Sequence, residues 1–189
     1  MLCCREEGEH TQRPQINDFS EASIRCSASL TLCNETRPPV FGRVLWALRT
    51  ADGAAVKSGA FPAVVPALSV QYFPALDLNK INYRNCYLSY ALIDKSNSVI
   101  FEGTALFCAP KRFEFSNPHL SVRRAGNTLI VHADAYAQSV YIESEDPDLL
   151  LDDNFFSMNP GEQTVQILRG KATFPIVRSV YDCVYSRSV

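Results

Sequence analysis

Asn34-Glu35-Thr36 fits the acceptor pattern for N-linked glycosylation, a modification meaningful only with passage through a eukaryotic secretory pathway. A chance match is the favoured reading. Glu145, Asp146, Asp148, Asp152 and Asp153 gather carboxylates that could offer hard oxygen ligands to calcium, but they lack the glycine and the spaced terminal glutamate of an EF-hand loop. Charge runs usually stay hydrated, so a solvated loop is expected there. His10, His119 and His132 are too scattered to suggest a ligand set, and no serine comes with a partnered histidine. The seven cysteines, Cys3, Cys4, Cys26, Cys33, Cys86, Cys108 and Cys183, contain no Cys-x-x-Cys pair, which argues against zinc. Their odd number leaves at least one thiol without an intramolecular partner, and packing thiols are expected. Tyr72, Phe73, Tyr83, Tyr87 and Tyr90 could form a flat platform for sugar rings, although aromatics chiefly supply buried area and packing is the stronger reading. No catalytic, cofactor-binding or metal-binding residue is nominated, and no cofactor is implied.

The elements that would position these groups read as strands. Ile24, Cys26, Ala28, Leu30 and Leu32 alternate with Arg25, Ser27, Ser29 and Thr31, the period of a half-buried strand. Val44, Trp46 and Leu48 point inward from a second strand bounded by Arg43 and Arg49, and Asp52-Gly53 supplies a hairpin turn. Further strands are expected at about 55–61, 68–76, 85–94 and 98–108, separated by Pro62, Pro66, the 79–85 stretch and Lys95-Ser96-Asn97. Ala109-Pro110-Lys111-Arg112 marks a boundary, because proline cannot extend a central ladder and the apolar pattern restarts after it. A second set follows at about 119–124, 128–135, 138–145, 155–157, 162–169 and 173–184, with Gly126-Asn127 and Pro160-Gly161 as turns. No sustained amphipathic helix and no repeat is visible. Residues 1–19 show neither helical nor strand periodicity and read as a leader or linker.

Composition is that of a soluble globular protein: 47% hydrophobic and 20% charged residues support a buried core. A net charge of -2 provides no basic field for a phosphate backbone, so nucleic acid is an unsuitable partner. No apolar run reaches the ~20 residues that span a bilayer, and membrane insertion is not expected. A parent's signal peptide would lie upstream, so the compartment stays open between periplasmic, extracellular and lysosomal.

The stretch Leu151-Asp152-Asp153-Asn154-Phe155-Phe156-Ser157-Met158-Asn159-Pro160-Gly161-Glu162 is similar to the Asp-Asn, aromatic, Phe, apolar, Pro-Gly-Glu signature of the final immunoglobulin-like domain of β-mannosidases in glycoside hydrolase family 2. Val99 to Phe115 resembles the strand and Pro-Lys junction joining that domain to the one before it. The resemblance runs in order from about residue 22 to 184, loosest over Ala172 to Tyr185. It implies an all-β chain of two consecutive immunoglobulin-like antiparallel β-sandwiches: 1–19 leader or linker, 20–110 first sandwich, 111–189 second. Cys26, Trp46 and Cys86 also imitate the Cys, Trp, Cys order of antibody domains, which would imply a Cys26 to Cys86 disulfide as the alternative to packing thiols.

Within the signature, Pro160 and Gly161 suit the second and third positions of a type II turn, with the next strand beginning at Glu162. Phe155, Phe156 and Met158 are expected to pack around the corner, with Asp153 and Asn154 bonding local backbone N–H groups. Asp153, Asn154, Phe155, Phe156, Pro160, Gly161 and Glu162 thus read as a folding motif. Members of this family resemble other retaining glycosidases in using two glutamates on a barrel, and a barrel needs some 200 or more residues of alternating strand and helix. Asn34-Glu35 is similar to the dipeptide of the family's acid/base, but it follows a sandwich strand and precedes Pro38-Pro39. The resemblance therefore implies an accessory region whose partners are the catalytic barrel of its parent and, in an alternative reading, mannose-containing glycans bound by an independent module.

Overall fold

The computed structural model describes residues 1–13 and 23–185. They divide into two units, one of Met1–Thr50 with Ala55–Glu114, the other of Ala51–Ala54 with Phe115–Val189. Both are built almost wholly from antiparallel strands.

The first unit contains β1 (Leu2–Glu7), β2 (Ser27–Asn34), β3 (Val40–Thr50), β4 (Ala55–Val65), β5 (Ser69–Tyr72), β6 (Leu76–Asp77), β7 (Cys86–Ile93) and β8 (Val99–Leu106), with a single-turn helix α1 (Glu9–Gln12) after β1. One sheet runs β1-β2-β5 with β6 also on β2, and the other runs β4-β3-β7-β8. The alternation read from the sequence decides their inner faces. Ala28, Leu30 and Leu32 of β2 share one core with Val44, Trp46 and Leu48 of β3 and with Leu88 and Leu92 of β7. At about 25 cal/mol per Å² of buried apolar surface, such a shared layer is what holds two sheets together.

Residues 1–13, expected as part of a leader or linker, are built into the first unit. β1 pairs with β2 over its whole length, from Leu2 opposite Leu32 to Glu7 opposite Ser27, and Leu2 enters the core. The segment is then locked beyond the strand. Glu9 N–H donates to the Phe107 carbonyl at 2.6 Å, and Gly8 lies so close to that carbonyl that a Cβ would collide with it. The Glu9 carboxylate is 1% exposed, and its Oε1 accepts from Arg84 at 2.8 Å and Arg112 at 2.9 Å. Burial pushes its pKa up, yet the bonds and charges of the two arginines outweigh this and hold it below the usual carboxylate value. Pro14 and the remainder of the expected leader lie outside the described residues. The boundary also falls later than residue 110. The Pro110–Arg112 turn stays with the first unit, where Glu114 N–H donates to the Arg84 carbonyl at 2.6 Å.

Pro62, expected to separate two strands, lies inside β4 opposite Arg43. β4 is the edge of its sheet, where the missing N–H costs no ladder bond.

The second unit contains β9 (Ser121–Ala125), β10 (Thr128–Ala133), β11 (Ala137–Glu143), β12 (Leu150–Leu151), β13 (Phe156–Met158), β14 (Gly161–Arg169) and β15 (Ile176–Arg178), closed by α2 (Val180–Tyr185). Its sheets run β12-β14-β10-β9 and β13-β11-β15. Leu129, Val131, Val140, Ile142, Met158, Val165 and Ile167 form its core. A bulge between Ala137 and Val140, with Ser139 at φ +50°, resets the parity of β11. Val140 and Ile142 then face inward, leaving Tyr141 and Glu143 on the outer side.

The long strand expected over 173–184 is instead the three residues of β15 and the helix α2. Ser179 caps that helix: its N–H donates to Asp182 Oδ2 at 2.7 Å, and the Asp182 N–H donates to the Ser179 carbonyl at 3.1 Å. Ser-x-x-Asp is a helix-start signal that the surrounding valines and tyrosines obscure.

Candidate functional site

The signature segment sits between β12 and β14, and its residues take different tasks from those expected. Asn154 does the bonding: its Oδ1 accepts the Ile142 N–H at 2.9 Å and the Phe155 N–H at 3.1 Å, while its Nδ2 donates to the Ile142 carbonyl at 3.0 Å. One side chain thereby satisfies both backbone groups of Ile142 on β11, as a neighbouring strand would. The Asp153 carboxylate makes no hydrogen bond among the described residues. Asp152 takes the role expected of Asp153, its Oδ1 accepting the Gln166 N–H at 2.7 Å.

Phe156 packs against the core opposite Val140, and Met158 is buried. Phe155 does not join them. It is 64% exposed at φ +63°, stacked on Tyr141 with ring centroids 4.8 Å apart. Gly161 has the expected positive φ, but at +132° it is wider than the third position of a type II turn and already belongs to β14, paired with Ala133. Pro160 is a bend before the strand, and Glu162 makes an exposed ion pair with Arg123 at 3.3 Å.

Other groups with chemical potential are mostly absorbed by local structure. Asn34 of the glycosylation pattern is 4% exposed. Its Nδ2 faces the carbonyls of Pro38, Val65 and Pro66 at 3.0, 3.2 and 2.9 Å, and its Oδ1 accepts from the N–H and hydroxyl of Thr36. Asp146 of the acidic group closes a loop by accepting the Lys171 N–H at 2.6 Å and the Asp148 N–H at 3.0 Å, bonds that hold its pKa below the usual carboxylate value. Two histidines judged too scattered do converge: His119 Nδ1 and His132 Nε2 lie 3.2 and 3.1 Å from opposite oxygens of Asp134. The signal available was a strand-end histidine two residues from an aspartate. Among the described residues no group of three or more His, Cys, Asp or Glu is arranged to hold a metal ion.

All seven cysteines are free, so the disulfide implied by the antibody-like order is not formed. Cys26, Cys86 and Trp46 share the first core. Burial pushes the Cys26 thiol up to about 11, with the neighbouring Cys86 adding to the shift, and pushes Cys4 and Cys108 up to about 12. The five aromatics considered as a platform do not assemble into one. Tyr87 and Phe73 are buried, Tyr83 and Tyr90 pack against the core, and Tyr72 alone of the five is exposed.

Residues 27–112 match the family model described as a Mannosidase Ig/CBM-like domain, and residues 115–174 match the one described as an Ig-fold domain of the mannosidase type. The chain is a pair of mannosidase-type immunoglobulin-like domains, as found at the C-terminal end of family 2 glycoside hydrolases. No curated protein matches it in sequence. Among solved structures, the pair is similar to the β-D-mannosidase of Dictyoglomus thermophilum, with a TM-score of 0.68 and 14% identity over 94% of this chain and 21% of that one. It is also similar to the exo-chitosanase of Amycolatopsis orientalis, with a TM-score of 0.57 and 14% identity over 93% of this chain and 26% of the enzyme. At that identity the likeness establishes the fold. The mannosidase-type domains span only about a fifth to a quarter of the length of these enzymes. The described residues contain no barrel of alternating strands and helices.

Proposed function

We propose that this chain is a non-catalytic accessory region of a family 2 glycoside hydrolase of β-mannosidase type. It packs against a catalytic barrel carried elsewhere in the parent polypeptide, where two glutamates release terminal β-D-mannose with retention. The observation that carries this reading is the order of the two domains: both mannosidase-type models match in sequence, one directly after the other. A surface feature supports it. Exposed Phe41 and Val64 stand opposite each other on β3 and β4. Apolar patches of this kind mark surfaces that lose water to a partner.

The alternative, an independent sugar-binding module on the first sandwich, called for a row of exposed aromatics, and four of its five candidate residues are packed inward. The test is turnover of an aryl β-mannoside by the pure chain. None is expected, and turnover abolished by a substitution within these 189 residues would overturn the proposal.

A further inference from the structure

The outer face of β11 and β15 gathers aromatic and charged groups. Tyr141 stands opposite Arg178, whose Nη1 lies 3.3 Å from Glu143 Oε1, two residues along the same strand. On the other side Tyr141 carries the exposed ring of Phe155. Glu143 also lines a cleft of about 580 Å³ together with Arg124, Ser144, Phe174 and Ile176. Phe174 is 74% exposed at φ +47°. Two phenylalanines, one on the platform and one in the adjoining cleft, are therefore held in water in the left-handed region, where a bulky residue is strained and glycine is not. Strain at an exposed aromatic is retained where the ring itself is used.

We propose that this face and cleft bind a glycan. Pyranose rings stack their apolar C–H faces on Phe155 and Phe174, and their hydroxyls bond Arg178, Glu143 and the Tyr141 hydroxyl, which has no hydrogen-bond partner among the described residues. The mixture of groups selects this ligand over a protein surface. The centre of a protein interface is depleted of charge, whereas here the Arg178–Glu143 ion pair stands beside Tyr141. A shallow site with a few convergent polar groups beside aromatic faces suits a ligand with one apolar face and a polar rim. The proposal goes beyond the accessory role and does not depend on it, because a chain that binds no sugar could still pack against a barrel.

The experiment is calorimetric titration of the full chain with β-1,4-linked mannotriose and, in parallel, the β-1,4-linked glucosamine trimer. Saturable binding of at least one is expected. Phe155→Gly should weaken it tenfold or more while leaving the unfolding midpoint unchanged or raised, since glycine fits the backbone there. Phe155→Trp should retain binding, and Tyr72→Ser in the first unit should not alter it. Absence of saturable binding by the unmodified chain to either trimer, or equal binding by Phe155→Gly, would overturn the proposal.

Discussion

Asn154 is joined to Ile142 in both directions, accepting its N–H at 2.9 Å and donating to its carbonyl at 3.0 Å. Removing the side chain strands both groups on a strand whose Ile142 side chain is in the core. Asn154→Ala should therefore destabilise the second unit by about 1–3 kcal/mol, the cost of unpaired, partly buried polar groups. Asp153→Ala, one residue earlier, should leave the unfolding midpoint unchanged. Denaturant unfolding of the two variants side by side checks the contrast.

Gly161→Val isolates a purely conformational effect. A Cβ at Gly161 meets nothing within 4 Å, so no clash contributes, yet φ is +132°. The expected loss is about 1–3 kcal/mol, and Gly161→Ala should lose less because it lacks the β-branch. Equal midpoints for all three proteins would show that the backbone relaxes freely at this position.

The Glu9 cluster predicts acid sensitivity of a definite sign. Its folded pKa is lowered, so the carboxylate contributes stability above its unfolded pKa, and that contribution disappears as pH falls through the folded value. Replacing Glu9 with Gln should lower stability at neutral pH and flatten the loss below about pH 4, the ordinary carboxylate range. Stability measured against pH for the two proteins reads both effects.

The thiols should divide by burial. Cys183 is exposed, while Cys26 and Cys108 are buried with pKa values of about 11 and 12. Native protein at pH 7 should lose Cys183 to iodoacetamide first and keep Cys26, Cys86 and Cys108 unmodified until denaturant is added. Mass mapping of the labelled peptides gives the order.

Strand alternation was legible wherever one face is apolar: Ala28, Leu30 and Leu32, or Val44, Trp46 and Leu48, could be assigned inward without a structure. β1 was not, because Leu2 and Cys4 are the only apolar residues on its inner side and Glu6 and Glu7 dominate the local pattern. Its partner strand β2 is distant in sequence, and the turn after it is held by Arg84 and Arg112 on Glu9. α2 was hidden by residues of high strand propensity, Val180, Tyr181 and Val184, which a two-residue cap overrides. The face around Tyr141 was beyond sequence reading for a different reason. Its composition depends on one extra residue in a bulge and on two phenylalanines in a backbone region normally left to glycine.

Asn34 gives the chain a preference about where it can be made. Its amide has two hydrogens shared among three carbonyls, in a site only 4% open to solvent. A sugar attached before folding would remove one of those hydrogens and place a bulky group where the Pro38, Val65 and Pro66 carbonyls converge. In a host that transfers oligosaccharides to nascent chains, modification and closure of this loop become competing fates of the same nitrogen. The modified fraction should enter the quality-control pool, and Asn34→Asp, made to block transfer, would lose the donor that the loop requires. Thr36→Val is the cleaner way to remove the acceptor pattern, at the cost of the hydroxyl contacts to Asn34 Oδ1 and the Pro38 carbonyl.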